Sequence, residues 1–123
     1  MRNIGIAGFG TVGQGFFSQI NKNFKNFKVI QIAVKNVKKK RKINLKNIKV
    51  TSKVQELAIN PNIQVLVECI GGSSGAAYKL VKTAIENKKH IITANKALLA
   101  IHGNELVKLA EKNNVSISYE AAI

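Results

Sequence analysis

Three glycines near the start of the chain have the spacing of a turn that binds dinucleotide phosphates. Gly8, Gly10 and Gly13 form the pattern G-x-G-x-x-G between an apolar run and an amphipathic segment. In that setting the first glycine permits a tight turn, the second lets the backbone approach a pyrophosphate, and the third lets a helix pack closely on a strand. Free N–H groups at the helix start attract the phosphates. We predict dinucleotide binding; a glycine turn without a ligand is the alternative.

The residues after the second apolar run indicate which dinucleotide is preferred. An NAD site usually has a carboxylate there, which holds the ribose 2′-hydroxyl. This chain has no acidic residue before Glu56; Lys35 follows the run, and a basic stretch, 38–42, lies just beyond it. Cations at this place suit a 2′-phosphate. We therefore predict NADP, with NAD possible, and Lys35 and Lys38 as its ligands; a solvated loop is the alternative for the basic stretch.

The turn after a later apolar run is a further candidate contact for the cofactor. Gly71, Gly72 and Ser73 follow that run, where their backbone groups and hydroxyl are placed to contact the ribose or the nicotinamide. An ordinary turn from strand to helix would have the same composition. Glu68 lies in the run itself, where an unpaired carboxylate is costly, so we expect a hydrogen-bonded, structural role for it.

The segment Thr-Ala-Asn-Lys-Ala-Leu-Leu-Ala at 93–100 follows another short apolar run. It places the amide of Asn95 and the ammonium of Lys96 at the same edge of the predicted sheet as both glycine turns. An ammonium beside a nicotinamide can orient a carbonyl and stabilise the negative charge that develops on its oxygen. A surface lysine is the alternative.

Runs of strand length alternate with segments of helical period along the whole chain. The predicted strands are 3–7, 28–34, 50–51, 63–70, 90–93 and 115–119. The predicted helices are 11–24, 53–59 with Ser52 as its cap, 74–87, 96–100 and 102–113. Such alternation predicts parallel pairing with right-handed crossovers. We expect an α/β fold, a Rossmann-type doubly wound, mostly parallel sheet with helices on both faces, as one domain over residues 1–123.

Length and composition fit one globular domain, but the charge is unusual. The chain has 123 residues, of which 46% are hydrophobic, with 20 basic and 6 acidic residues and a net charge of +14. That charge invites a nucleic-acid partner. However, an AT-rich genome inflates lysine, isoleucine and asparagine without any partner, and the basic stretch lacks interleaved aromatic residues. We expect no nucleic-acid partner and no membrane span.

The single cysteine, Cys69, excludes an internal disulfide and suits a reducing, cytoplasmic location. We expect it to be a small buried apolar side chain. Together with His90 and His102, and with no aspartate in the chain, it offers no metal-ligand spacing.

Four segments resemble the N-terminal nucleotide-binding domain of homoserine dehydrogenase. They are residues 6–15, 67–72, 89–100 and 119–123, in order and properly spaced along the whole chain. The Thr-Ala-Asn-Lys-Ala-Leu-Leu-Ala block is far more specific than the glycine pattern. The resemblance implies NAD(P)-dependent interconversion of homoserine and aspartate 4-semialdehyde, on the route from aspartate to threonine and methionine.

The resemblance also implies roles for single residues. In the family, residues matching Phe9, Gly10, Thr11 and Val12 bind the pyrophosphate, and the lysine matching Lys96 contacts the cofactor. Thr93 and Asn95, beside Lys96, are further candidate cofactor contacts by their position. The lysine that matches Lys96 also contacts the substrate and assists the chemistry, so Lys96 is the catalytic candidate. Residues matching Glu120 and Ile123 belong to a monovalent-cation site in the family, typically for sodium.

Departures from the family pattern limit these expectations. Lys35 and Asn36 stand where the family commonly has arginine and aspartate, which removes a bidentate fork and lowers the expected NADP affinity. Gly75 replaces a frequent proline, which should loosen that helix start.

In the family, a substrate and dimerisation domain with the principal proton-transfer lysine and its partner aspartate follows the position of Ile123. We therefore expect a cofactor-binding part, inactive alone, whose substrate contacts and homodimer need the full-length protein. The alternatives are a non-catalytic dinucleotide-binding module or gene remnant, a nucleic-acid binder, and a dehydrogenase for other amino-acid derivatives.

Overall fold

The computed structural model describes residues 2–23, 25–37, 45, 47–72 and 75–120. Its strands are β1 (Arg2–Ala7), β2 (Phe27–Ala33), β3 (Lys49–Thr51), β4 (Val65–Glu68), β5 (His90–Thr93) and β6 (Ile117–Tyr119). Its helices are α1 (Thr11–Asn23), α2 (Gln55–Ile59), α3 (Ala76–Glu86) and α4 (Lys96–Lys112).

The six strands form one sheet in the order β3-β2-β1-β4-β5-β6. Every neighbouring pair is parallel, so the predicted doubly wound α/β fold is confirmed. The chain winds outward from β1 through β2 to β3, then crosses to β4 and winds outward the other way. The direction of winding therefore reverses between β1 and β4, and open sheets of this kind bind ligands in the crevice beyond the carboxyl ends of those strands.

Helices cover both faces of the sheet, as predicted. On one face, Ile4 and Ile6 of β1 pack with Phe16 and Phe17 of α1. The core on the other face is built from β4, α2, α3 and α4, and its fully buried leucines are Leu57, Leu66, Leu80, Leu98 and Leu106. Because both faces are covered, the central strands β1 and β4 bury residues on both sides, whereas β6 at the end of the sheet is mostly exposed. None of the helices in the described part of the chain has the length and apolar character needed to span a membrane.

One helix replaces two that were predicted. The separation expected between 96–100 and 102–113 is wrong, because α4 runs without interruption from Lys96 to Lys112. Its buried residues, Leu98, Leu106 and Ala110, form one stripe along the helix, and burial of that stripe holds the helix together through Gly103. A glycine inside a helix costs only about 1 kcal/mol relative to alanine, less than packing of this stripe returns.

The cap predicted for α2 is also wrong. The helix begins at Gln55, and Val54 precedes it without a capping side chain. The hydroxyl that bonds the backbone here belongs to Thr51, which accepts the N–H of Lys53 at 3.1 Å. Several predicted ranges were too long, since α2 covers only 55–59, β4 only 65–68, α3 only 76–86 and β6 only 117–119. Phe24, the predicted end of α1, lies outside the described residues.

Candidate functional site

A cleft of about 760 Å³ opens at the carboxyl edge of the sheet, outside β1, β2 and β4. This volume is typical of cofactor and small-molecule sites. The cleft is lined by the turns that follow these strands and by the start of α3, namely Gly8, Phe9, Gly10, Val34, Lys35, Asn36, Cys69, Ile70, Gly71, Ala76 and Ala77, with Ala33, Ser52 and Val54 completing the lining. It therefore lies where the reversal of winding direction predicts a ligand.

The three glycines of the first turn have three different surroundings. Gly8 has a φ of +94°, and a Cβ there would lie 2.8 Å from the carbonyl oxygen of Cys69. A Cβ on Gly13 would lie 2.1 Å from the carbonyl oxygen of Gly8, so α1 packs directly against the turn. A Cβ on Gly10 would meet nothing within 4 Å. Gly8 and Gly13 are thus required by packing within the chain, whereas Gly10 faces open space at the cleft.

Packing of Phe9 and a hydrogen bond from Gln14 hold the backbone of this turn in place. Phe9 is buried and packs edge-on against Phe17, with ring centroids 5.7 Å apart. The Gln14 side-chain amide donates to the carbonyl of Phe9 at 3.1 Å. Thr11 and Val12 begin α1, so their N–H groups have no acceptor within the helix. The groups that the turn presents to a ligand are therefore backbone N–H groups, which are suitable donors to phosphate oxygens.

Lys35 is the charged side chain that the described residues place in the lining of the cleft. It follows β2 and is exposed, with Asn36 beside it. The described lining contains no carboxylate that would repel an added phosphate. Lys38, the second predicted cation, lies outside the described residues.

The turn after β4 adopts a conformation that favours glycine. Gly71 and Gly72 have φ values of +80° and +85°, and a Cβ at either position would meet nothing within 4 Å. Ser73 lies outside the described residues. Gly75 precedes α3 with a φ of +69° and a ψ of −122° and no capping side chain. The proline frequent in the family could not adopt that positive φ, because its ring fixes φ near −65°.

Glu68 anchors this turn from inside the sheet. Its side chain is fully buried at the end of β4. One carboxylate oxygen accepts the N–H groups of Ile70 and Gly71 at 2.9 and 3.0 Å, and the other accepts the hydroxyl of Thr93 at 2.6 Å. The prediction that the Glu68 carboxylate is hydrogen-bonded is confirmed.

Thr93 and Asn95 continue the same hydrogen-bond chain. The Thr93 hydroxyl accepts the N–H of Asn95 at 3.0 Å. The Asn95 side chain accepts the N–H of Leu98 at 3.0 Å, which caps α4, and its amide nitrogen donates to the carbonyl of Gly72. Both side chains are buried and bonded within the chain. Lys96, the first residue of α4, is exposed at this edge but does not line the cleft itself.

Cys69 borders the cleft but is not a nucleophile at neutral pH. Burial raises the pKa of its thiol from 9.0 to about 12, and the negative charge of Glu68 adds to the shift. The thiol therefore keeps its proton. The described residues contain no group of three or more histidine, cysteine or acidic side chains that could hold a metal ion.

A second hollow, of about 340 Å³, lies between α1 and the sheet and includes Glu120 in its lining. Glu120 follows β6, is exposed, and donates its N–H to the carbonyl of Thr93 at 2.9 Å. Ile123, the other residue predicted for a monovalent-cation site, lies outside the described residues. The cation site therefore stays a prediction.

Nine of the lining residues were not predicted as site residues, and four of these come from segments in which no site residue was predicted. Ser52 and Val54 follow β3, and Ala76 and Ala77 open α3. None carries a chemical group that attracts attention in the sequence. The available signal was topological, because β3 lies beside β2 and α3 begins just after the turn that follows β4.

Comparisons with known proteins agree on one family. The family model for "Homoserine dehydrogenase, NAD binding domain" matches residues 8–120. Homoserine dehydrogenase of Pseudomonas aeruginosa is 40% identical and that of Bacillus subtilis 33% identical, each over 98% of this chain and 29% of the relative. The crystal structure of Staphylococcus aureus homoserine dehydrogenase at pH 7.0 superposes with a TM-score of 0.87 at 37% identity, covering 98% of this chain and 32% of that chain.

The homoserine dehydrogenase structure from Thiobacillus denitrificans gives the same result, with a TM-score of 0.88 at 33% identity over 98% of this chain and 30% of that chain. The chain thus spans less than one third of the length of these relatives. The similarity covers the whole sheet and the cleft, and concerns one part of a longer relative.

Proposed function

The chain belongs to the homoserine dehydrogenase family through that family's NAD-binding domain, and from this premise we propose that it binds NADP(H) in the cleft at the carboxyl edge. One observation carries the proposal. Gly8 and Gly13 are enclosed by the chain, whereas Gly10 is open toward the cleft at the start of α1. Packing accounts for the first two glycines, and the approach of a ligand accounts for the third.

The pyrophosphate would be held by the backbone from Phe9 to Val12. The N–H groups at the start of α1 supply donors and a partial positive charge there. The described side chains of this turn leave its backbone uncovered, since Phe9 is turned into the core. The turn at Gly71 and Gly72 would border the nicotinamide half of the cofactor. Thr93 and Asn95 would hold this turn in place through their hydrogen bonds to Glu68 and to the Gly72 carbonyl.

The preference for NADP rests on Lys35 and on the missing acid. The ammonium lies at the end of β2, where the 2′ substituent of an adenosine ribose is expected. A 2′-phosphate gains from that charge, and a 2′-hydroxyl finds no carboxylate among the described lining residues. Lysine binds phosphate as a point charge without the fork of arginine, so the expected preference is moderate. NAD remains a possible second cofactor, and Lys38 a second cation.

We further propose that this cofactor-binding part serves the interconversion of homoserine and aspartate 4-semialdehyde, in the synthesis of threonine and methionine. When bound, NADPH would supply the hydride to the aldehyde carbon, and a proton from water would complete the hydroxyl group of homoserine. Lys96 would orient the aldehyde and stabilise the negative charge on its oxygen. The substrate site, the homodimer contacts and a monovalent cation at Glu120 and Ile123 would require the longer polypeptide seen in the relatives. The 123-residue chain alone would bind the cofactor without turnover, in a reducing cytoplasm.

Titration of the 123-residue chain with NADPH and NADH, followed by nucleotide fluorescence, tests the proposal. We expect tighter binding of NADPH, and a loss of about tenfold in NADPH affinity for Lys35→Ala, because one charge-assisted hydrogen bond to phosphate is removed. Lys49→Ala is the matched control, since Lys49 is also exposed but does not line the cleft. The proposal would be overturned if neither NADPH nor NADH bound to the chain. Equal NADPH affinity before and after Lys35→Ala would overturn only the assignment of Lys35.

A further inference from the structure

Glu68 is a fully buried acid without a cationic partner among the described residues. Burying a carboxylate in a sheet is costly unless hydrogen bonds replace its hydration. A small apolar residue would fill the end of β4 without that cost. The presence of a charge here therefore calls for a use that packing does not supply.

The hydrogen bonds of Glu68 close a ring. Its carboxylate holds Gly71 and Thr93, and Thr93 holds the backbone of Asn95. Asn95 returns to the turn through its bond to the carbonyl of Gly72. The ring thus joins the turn that borders the cleft to the residue that caps α4, and Lys96 is the next residue in that helix.

Each member of the ring is fixed by the others. Thr93 has one hydroxyl hydrogen, which goes to Glu68, and its oxygen accepts from Asn95. Asn95 uses its oxygen for Leu98 and its nitrogen for Gly72. Gly71 and Gly72 have positive φ values and no packing neighbours where a Cβ would stand, so these hydrogen bonds rather than contacts define their conformation.

We propose that Glu68 is a positioning residue, which holds the turn at 70–72 and the start of α4 in a fixed relation without touching the cofactor. This inference rests on the proposed function, since the groups it positions are those that would meet the nicotinamide half and its reacting partner. A preformed edge lowers the ordering cost of binding and places Lys96 reproducibly.

Glu68→Gln tests this inference because it keeps the volume and removes one acceptor. The new amide nitrogen must face either the N–H groups of Ile70 and Gly71, which can only donate, or the Thr93 hydroxyl, which would have to accept and would lose the acceptor for its own hydrogen. We expect NADPH affinity to fall about tenfold, as for the loss of a hydrogen bond to a charged group. Two controls separate positioning from stability. Glu56→Gln makes the same chemical change on α2, and Lys89→Met removes a buried charge far from the cleft; both should bind NADPH within about twofold of the unchanged chain.

A double-mutant cycle with Lys96→Met gives a readout that a merely structural role would not move. The family resemblance makes Lys96 a contact of the cofactor as well as of the substrate, so Lys96→Met should itself weaken NADPH binding. If Glu68 places Lys96, that loss of NADPH affinity should shrink at least about threefold in the Glu68→Gln background. The effects on Tm should add, because Lys96 is exposed and makes no bond to Glu68. Unchanged NADPH affinity in folded Glu68→Gln, or additive losses of affinity, would overturn the inference.

Amide hydrogen exchange keeps the two proposals separable. In Glu68→Gln we expect the amides of Ile70, Gly71, Asn95 and Leu98 to lose protection together, and in Lys89→Met to keep it. Loss confined to Ile70 and Gly71 would overturn the inference even where NADPH binds. Failure of the unchanged chain to bind NADPH would instead overturn the proposed function, and the exchange pattern would still decide whether Glu68 joins the turn to α4.

Discussion

Two charged side chains are buried at opposite edges of this sheet, and their hydrogen bonds lead to different places. Glu68, at the carboxyl edge, bonds a turn and a threonine that continue to exposed groups beside the cleft. Lys89, just before β5 at the amino edge, donates to the carbonyls of Asn60 and Ile63 at 2.7 and 2.8 Å. The bonds of Lys89 end in the connection between α2 and β4. The comparison indicates that one edge is organised for a ligand and the other for stability.

Other polar contacts at the amino edge fit that interpretation. The N–H of Asn3 donates to the side chain of Gln64 at 2.7 Å, which ties β1 to the residue before β4. His90 and Ser116 pair through side chain and backbone at 3.1 Å. These bonds join the starts of neighbouring strands, and none of these residues lines the cleft at the carboxyl edge. The carboxyl edge, in contrast, carries four glycines with positive φ at positions 8, 71, 72 and 75.

The largest expected effect that separates the edges is on ligand binding, through Gly10→Ala. The added methyl group meets no atom of the chain within 4 Å, and the φ of Gly10 lies outside the left-handed region, so Tm should change little. The methyl group occupies the approach to the phosphates, so NADPH affinity should fall about 100-fold, equivalent to about 2.7 kcal/mol. Fluorescence titration and thermal unfolding measure the two effects.

Gly103→Ala is the matched control for Gly10→Ala. Its new Cβ would make an ordinary contact with Leu99 at 3.7 Å inside α4. It should raise the free energy of unfolding by about 0.5 to 1 kcal/mol and leave NADPH affinity unchanged. Equal affinities for Gly10→Ala and the unchanged chain would contradict the separation of the two edges.

The converse effect is expected for Lys89→Met. Methionine keeps most of the apolar stem but leaves two backbone carbonyls without their donor. The free energy of unfolding should fall by about 2 kcal/mol, with NADPH affinity unchanged. Urea unfolding measures the first quantity and titration the second. A weakened affinity for NADPH in the folded variant would show that the amino edge contributes to the site after all.

The smallest effect is the dependence of stability on pH, where the edges act at opposite ends of the scale. Burial, with the charge of Arg2, lowers the pKa of His90. The unfolded chain therefore binds a proton at His90 more readily, and stability falls as the pH drops below about 6.5. At the carboxyl edge, the raised pKa of Cys69 keeps its proton in the folded state, so stability falls as the pH rises from about 9 toward 12.

Measurements of Tm against pH for the unchanged chain, His90→Gln and Cys69→Ala test both effects, the acid limb of the curve below about pH 6.5 and the alkaline limb above about pH 9. His90→Gln should flatten the acid limb and Cys69→Ala the alkaline limb, each by a few degrees at most. Burial also lowers the pKa of Lys89 from its ordinary value of 10.5. Because the unfolded chain then holds this proton more readily, the contribution of Lys89 makes stability increase as the pH rises toward about 10.5. Because Lys89 is the same in the unchanged chain and in Cys69→Ala, the difference between their profiles isolates the thiol. Identical dependence of Tm on pH in all three proteins would refute the assignment of the acid effect to His90 and of the alkaline effect to Cys69.

Local pattern was enough to predict that the strands exist, where the glycine turn lies and that the sheet is doubly wound. The spacing of Gly8, Gly10 and Gly13 acts within one turn, and alternation of strands and helices leaves few topologies. The ring around Glu68 could not be predicted, because Glu68 and Thr93 are 25 residues apart and meet only through pairing of β4 with β5. The split predicted in α4 failed for a related reason, since burial against the sheet and α3, rather than local propensity, extends that helix.

The central position of β1 has a consequence for how the chain is made. Ile4 pairs with Val65, so β1 is synthesised about sixty residues before β4, its neighbour on one side. Until β4 is made, the growing chain can pair β1 only with β2, which leaves the other edge of β1, with its buried segment 4–7, open. Such an edge is a template for association with other chains. A chain whose synthesis stalls before Glu68 should therefore be prone to aggregate. A chain that stalls after Thr93 already contains β4 and β5, so β1 can be paired on both sides.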